Sequence, residues 1–287
     1  MIPSPFEYHA PTALPDVIAL LSQYGDEAKL LAGGHSLLPM MKLRFAAPGH
    51  LIDLRKVAEL KGISVVGSQL HIGAMTTENE LIFSKLVAEH LPLLAEVARQ
   101  IADPQVRYKG TIGGDISHGD PGNDHPAVMM AMDATFVLTG ANGERLVKAT
   151  EFFHGMYDTA LTPGEVMTQI RIPIPAAGTG SSYAKLKRKT GDYATAAAAV
   201  VIRLQAGLCT QARIALTNVG PTALFAGDAA ASLIGKPIDD VTITQAANLA
   251  MAICEPAPDL RGDEAYKTAM AGQMVERALR LAVAHVK

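Results

Sequence analysis

Two adjacent glycines, Gly33-Gly34, follow the short apolar run Lys29–Ala32, and a second pair, Gly113-Gly114, follows Thr111-Ile112. A glycine pair at the end of a strand lets the backbone turn with positive φ and removes the Cβ atoms that would stand between peptide N–H groups and an anion. One such pair is usually an ordinary tight turn. Two in similar settings can close on a diphosphate from opposite sides. Ala32, Gly33, Gly34, His35 and Ser36 would form one wall and Thr111, Ile112, Gly113, Gly114 and Asp115 the other, with the Ser36 and Thr111 hydroxyls as further donors. Other phosphate motifs are missing: no GxGxxG follows a strand and no GxxxxGK[ST] occurs, so neither a Rossmann site nor a P-loop is expected.

Around these pairs the pattern alternates. Leu14, Val17, Ile18, Leu20 and Leu21 recur at helical spacing between Thr12 and Tyr24, and residues 37–43 follow the first glycine pair as a possible helix. Strands are expected at 50–54, 63–66, 70–72, 135–138, 145–147 and 166–172, and helices at 86–101, despite Pro92, and 121–132. The Pro-, Gly-, Ala- and Ser-rich stretch 173–182 reads as a linker, which puts a boundary near 177. Beyond it, strands 196–204 and 210–217 flank an Ala206-Gly207 hairpin, and helical patterns occupy 222–234, 243–254 and 264–286.

The chain has 287 residues, 49% of them apolar, and a formal charge of −3 without a basic stripe, so nucleic-acid binding is not expected. Cys209 and Cys254, far apart in sequence, cannot ligate an iron–sulfur cluster by themselves. The start, MIPSPFEYHAP, lacks the features of a secretory signal and no window reaches a membrane span, so a cytoplasmic protein is expected. His118 and His125 flank an acidic loop, but their separation is not a zinc spacing and GDPGND is not a calcium loop, so no metal is expected. Taken singly, Asp124 reads as a first-turn acid worth ~0.3–1 kcal/mol against the helix dipole. Tyr193 reads as a packed strand residue, and Lys185, Lys187, Arg188 and Lys189 as a solvated strand end.

The longer motifs say more. AGGHSLLPMMKLR at 32–44, TIGGD at 111–115, GDPGND at 119–124, KLKRKTGDYATAAAAVV at 185–201, ALTNVGPTAL at 215–224 and YKTAMAGQMVERAL at 266–279 closely resemble the FAD-carrying medium subunit of the aerobic molybdenum hydroxylases. Within that family the pattern is similar to the carbon monoxide dehydrogenase branch, over essentially the whole chain. The resemblance implies an α+β protein. A two-lobed FAD-binding domain of the vanillyl-alcohol oxidase type would span residues 1–177, with lobes at about 1–53 and 54–177, and a C-terminal domain of small antiparallel sheet and helices would span 178–287. It also implies that both glycine segments wrap the FAD pyrophosphate. Asp124 would lie toward the adenosine end, Ile101 and Leu161 beside the isoalloxazine, and Tyr193 and Lys185 near the ring, so that the flavin sits between domains.

The same resemblance implies partners: a small iron–sulfur subunit and a large molybdenum subunit in a dimer of heterotrimers. Those subunits would carry the clusters and the molybdenum cofactor, and this chain would pass electrons from FAD to a quinone or other respiratory acceptor. The complex could associate with the inner face of the cytoplasmic membrane. Alternatives are the flavin subunit of a hydroxylase acting on purines, nicotinate or an aromatic thioester, or a scaffold that keeps the fold without the cofactor.

Overall fold

The computed structural model describes residues 2–286. The first layer is a small parallel sheet. It comprises β1 (Glu7–His9), α1 (Leu14–Tyr24), β2 (Ala28–Leu31), α2 (Leu37–Leu43) and β3 (His50–Asp53), with strand order β1-β3-β2. Pro15 starts α1, where a missing N–H costs nothing, and Gly25 ends it at φ +51°. Val17 and Leu21, one turn apart, bury its inner stripe. The first glycine pair leaves the C-terminal end of β2, the edge where open parallel sheets present their ligand clefts.

The second layer is antiparallel. It holds β4 (Ile63–Val66), β5 (Gln69–Gly73), α3 (Glu78–Phe83), α4 (Lys85–His90), α5 (Pro92–Gln100), α6 (Pro104–Lys109), α7 (Ile112–His118), α8 (Asp124–Ala131), β6 (Thr135–Gly140), β7 (Gly143–Lys148), β8 (Phe153–Gly155), β9 (Asp158–Thr159) and β10 (Val166–Pro173). Its main sheet has the order β4-β5-β10-β6-β7. Phe136, Phe152 and Phe153 meet edge to face beneath it, Phe136 and Phe152 with centroids 4.8 Å apart, a geometry that adds about 1 kcal/mol per pair beyond burial.

Three expectations fail in this layer. The single helix over 86–101 is two, because Pro92 has no N–H to continue the ladder and begins α5 instead. The helix expected from Pro121 begins only at Asp124, the Pro121-Gly122 segment being loop. The second glycine pair is not a turn at all: Gly113 and Gly114 lie in the first turn of α7, neither with positive φ.

The third layer comprises β11 (Thr179–Leu186), β12 (Ala196–Gln205), β13 (Leu208–Thr217), β14 (Leu224–Phe225), α9 (Gly227–Ala231), α10 (Asp240–Met251) and α11 (Glu264–Ala284). The four strands are antiparallel in chain order. Gln205 pairs with Leu208 across Ala206 (φ +49°) and Gly207 (φ +80°), the two-residue hairpin expected there. The expected linker is shorter than 173–182, since β11 takes over at Thr179, and the helix expected at 222–234 shrinks to α9 because Leu224 and Phe225 pair with β13.

The alanine run in β12 shows how the layers join. Ala197 and Ala199 face the core shared with the second layer, while Ala196, Ala198 and Val200 face the core formed with α9–α11. A strand buried on both faces has no polar alternation, and methyl side chains let helices approach closely from either side. No helix among the described residues is long and apolar enough to cross a membrane.

Candidate functional site

All three layers border one cavity of about 890 Å³. The two glycine segments meet on its lining. A Cβ on Gly33 would stand 2.5 Å from the Lys109 carbonyl oxygen and 2.8 Å from the Gly110 Cα, and one on Gly114 would stand 3.2 Å from the Ala32 Cβ. The segments are therefore in contact, and any larger side chain at Gly33 would separate them.

The two pairs differ in what they offer. Gly34 has φ +80°, and among the described residues the peptide N–H groups of Gly33, Gly34, His35 and Ser36 have no intrachain acceptor. Ser36 precedes α2 without capping it, so its hydroxyl is also uncommitted. In the second segment every corresponding N–H is used: Ile112 donates to the Thr76 carbonyl, Gly113 to the Ala74 carbonyl and Gly114 to the Thr111 hydroxyl oxygen at 3.2 Å. Gly113 sits so near Ala74 that its Cβ would meet that residue's backbone. The first segment is a donor loop; the second supplies a close, smooth wall.

Behind the glycines lies a buried polar network. Asp124 accepts hydrogen bonds from Tyr183 Oη at 2.5 Å and from Lys185 Nζ at 2.6 Å, and both Asp124 and Lys185 are buried. Residues 183 and 185 alternate on β11, which aims both at the N-terminus of α8. One residue on, His125 is fully buried and its Nε2 lies 2.9 Å from Glu78 Oε2. Burial works against a charge on His125, yet the Glu78 carboxylate and its hydrogen bond outweigh this and raise the imidazole to about 9. Asp115 is the counterpart: burial pushes its carboxyl up to about 7 against the attraction of His125. Asp115 Oδ2 and His125 Nδ1 are buried without a partner among the described residues. His125 thus forms a buried ion pair with Glu78 through Nε2.

Ile101, Leu161 and Tyr193 also line the cavity, with Tyr157, His118 and Gly191. Tyr193 packs on Gly122, whose Cβ would lie 3.1 Å from the ring, and the Arg261 guanidinium lies over its other side at 5.7 Å. Asp192 anchors that corner through Arg261 at 2.7 Å and Arg188 at 3.1 Å, and the Arg261 hydrogen bond leads in holding its carboxyl down at about 2. The basic cluster is therefore partly a bonded corner: Lys185 is buried and Arg188 is tied to Asp192.

Of the residues singled out from sequence, Ala32, Gly33, Gly34, His35, Ser36, Ile101, Thr111, Gly113, Gly114, Asp115, Asp124, Leu161, Lys185 and Tyr193 border this one cavity. Ile112 does not; its side chain is fully buried in the core of the second layer. Sequence reasoning missed Glu78, Asn123, Tyr157, Tyr183 and Asp192. Only Tyr183 had a legible signal, its i, i+2 relation to Lys185 on a strand.

Residues 4–175 match the family described as the FAD binding domain in molybdopterin dehydrogenase, and residues 181–282 the family described as the CO dehydrogenase flavoprotein C-terminal domain. The chain is 60% identical over 282 residues to the carbon monoxide dehydrogenase medium chain of Hydrogenophaga pseudoflava, covering 98% of each, and 50% identical over its full length to that of Afipia carboxidovorans. Its structure superposes with a TM-score of 0.99, at 62% identity and full coverage of both chains, on a chain of the Hydrogenophaga pseudoflava carbon monoxide dehydrogenase that lacks the Mo-pyranopterin moiety of its molybdenum cofactor.

Proposed function

Because the chain belongs to the FAD-binding medium subunits of the molybdenum hydroxylases, we propose that it carries FAD in the cavity between its layers and serves as the electron-exit subunit of an aerobic carbon monoxide dehydrogenase. The observation that carries this reading is the contact between the glycine segments on the lining of a cavity that fourteen of the sequence-derived site residues border. The cavity suits the group. Four uncommitted N–H groups at 33–36 lie on its lining, as a diphosphate requires, and Ile101, Leu161 and Met167 on the same lining suit a flat ring system. In this reading residues 1–177 form the FAD-binding domain and 178–287 the C-terminal flavoprotein domain.

FAD, when bound, supplies the one- and two-electron chemistry. The chain's own residues position and tune. The N–H groups of Gly33–Ser36 would hold the diphosphate, with Gly113 and Gly114 permitting its approach. Asp124, held in place by hydrogen bonds from Lys185 and Tyr183, is positioned to accept further hydrogen bonds from the adenosine end. Ile101, Leu161 and Tyr193 would exclude water from the ring, and Asp115 Oδ2 can hold or release a proton close to neutral pH. Electrons would arrive from iron–sulfur clusters on a small partner subunit, after oxidation of substrate at molybdenum on a large one, within a dimer of heterotrimers, and leave to a quinone or other respiratory acceptor. Exposed Leu43 and Phe45 after the donor loop support a face covered by a partner. We place the complex in the cytoplasm, associated with the inner face of the membrane through that acceptor.

The test is the absorption spectrum of the complex purified from its native host. Flavin absorbance that bleaches on addition of carbon monoxide is expected. A complex containing this chain but no flavin would overturn the cofactor reading, and flavin that only a purine or another heterocycle reduces would overturn the substrate.

A further inference from the structure

On the first sheet, among residues that do not line the flavin cavity, three potential ligands share one face. Parallel pairing sets Glu7 opposite His50 and His9 opposite Ile52. Because side chains two apart on a strand point the same way, Glu7, His9 and their cross-strand neighbour His50 converge. His9 Nε2 lies 3.1 Å from His50 Nδ1, His50 Nδ1 lies 3.6 Å from Glu7 Oε2, and all three ligand atoms lie within 4.8 Å of one another. The rings are held in place: Tyr24, the last residue of α1, stacks on His50 with centroids 3.6 Å apart and on His9 at 5.3 Å.

We propose that Glu7, His9 and His50 form a binding site for a divalent transition-metal ion of the zinc, cobalt or nickel type that pins the N-terminal strand to the sheet. Zinc–nitrogen bonds of about 2.0–2.1 Å in a tetrahedron set neighbouring ligand atoms roughly 3.3 Å apart. The two short separations here straddle that value, so small adjustments of already stacked rings suffice. Two imidazoles with one carboxylate select borderline ions over calcium or magnesium, which prefer oxygen. Solvent would complete the coordination, since the Glu7 side chain is 73% exposed. The role is structural: β1 is three residues long and sits at the end of the sheet order, and a shared ion would tie it to β3 through side chains as well as ladder bonds.

The untagged full-length chain is titrated with Co²⁺ and, separately, dialysed against Zn²⁺ with the bound metal counted by mass spectrometry. One equivalent per chain is expected, with cobalt bands in the visible that vanish in His9→Ala and His50→Ala. Glu7→Gln, a change at an exposed position that leaves folding intact, should weaken binding at least tenfold, by analogy with the ~10–100-fold cost of losing even an outer-shell partner. Either no stoichiometric uptake, or uptake that survives both His→Ala substitutions, overturns the proposal. If the histidine variants do not fold, unchanged affinity in Glu7→Gln overturns it instead.

Discussion

Gly33→Ala adds a single methyl group where the two glycine segments touch. That carbon would lie 2.5 Å from the Lys109 carbonyl oxygen and 2.8 Å from the Gly110 Cα, roughly 1 Å inside the ~3.5–4.0 Å of a comfortable contact. Both opposing atoms are backbone, so no side chain can swing aside. Overpacking of this kind costs about 1–3 kcal/mol. The cheapest relief is for the donor loop to back away from residues 109–110, which moves its free N–H groups from the wall at Gly114. If that cost falls on the bound state, FAD affinity drops about 5- to 150-fold. The assay is released flavin per chain in the purified complex together with FAD titration of the stripped protein. Gly67→Ala is the control: it has open space around it in the β4–β5 turn, and at φ +59° it costs ~1 kcal/mol of stability without touching the cavity. A Gly33→Ala complex with a full complement of flavin and unchanged affinity would refute the two-walled cradle.

Lys185→Met strands Asp124 as a buried carboxylate with only the Tyr183 hydroxyl, and should lower unfolding stability by about 3–5 kcal/mol in urea denaturation, whereas Lys185→Met with Asp124→Asn should recover much of it. Since the folded pKa of His125, about 9, lies above its ordinary 6.5, its contribution to stability is complete below pH 6.5 and fades as pH rises through 9. The loss amounts to about 3 kcal/mol, and Glu78→Gln should flatten the profile over this window. Asp115 has the opposite consequence: with its folded pKa raised from 3.8 to about 7, ionisation penalises the fold increasingly across that range, so Asp115→Asn should raise the unfolding midpoint at pH 8 and leave it nearly unchanged in acid. An equal gain at both pH values would show that the carboxyl is not held neutral by burial.

What the chain's sequence makes visible follows from how local each cause is. Strands such as β10 and β13 and helices such as α1 and α11 announce themselves through periodic side chains and terminal Gly or Asp. The break at Pro92 is equally local but is masked, because Leu86–Ile101 keeps an apolar stripe across it. The helical state of Gly113-Gly114 could not be read locally. Glycine is a poor helix former, and the pair is helical because Thr111 caps the turn and Ala74, in the turn after β5, packs against it. Likewise, the Glu78–His125 pair joins residues 47 apart, and although His125 follows GDPGND, nothing in that motif points to Glu78. The glycine pairs stand out because only glycine tolerates such approach, and Asp124 and Lys185 stand out only through the family resemblance; Glu78 and His125 do not stand out at all, because any fold can bury a pair.

That network also explains why the site cannot belong to one part of the chain. Asp124 opens α8 in the second layer, and the groups that keep its charge tolerable, Tyr183 and Lys185, come from the third. Residues of the same third layer, Ala197, Ala199 and Ala215 among them, complete the apolar core on which α8 rests. Separating the layers would expose that core and leave a carboxylate without its cation, two penalties that add. The cavity's position at the junction thus goes with the energetics: it lies where a buried ion pair, Asp124–Lys185, joins the second layer to the third. A fragment ending near residue 177 should therefore lose the cavity as well as its C-terminal lining, even though both glycine segments lie inside it.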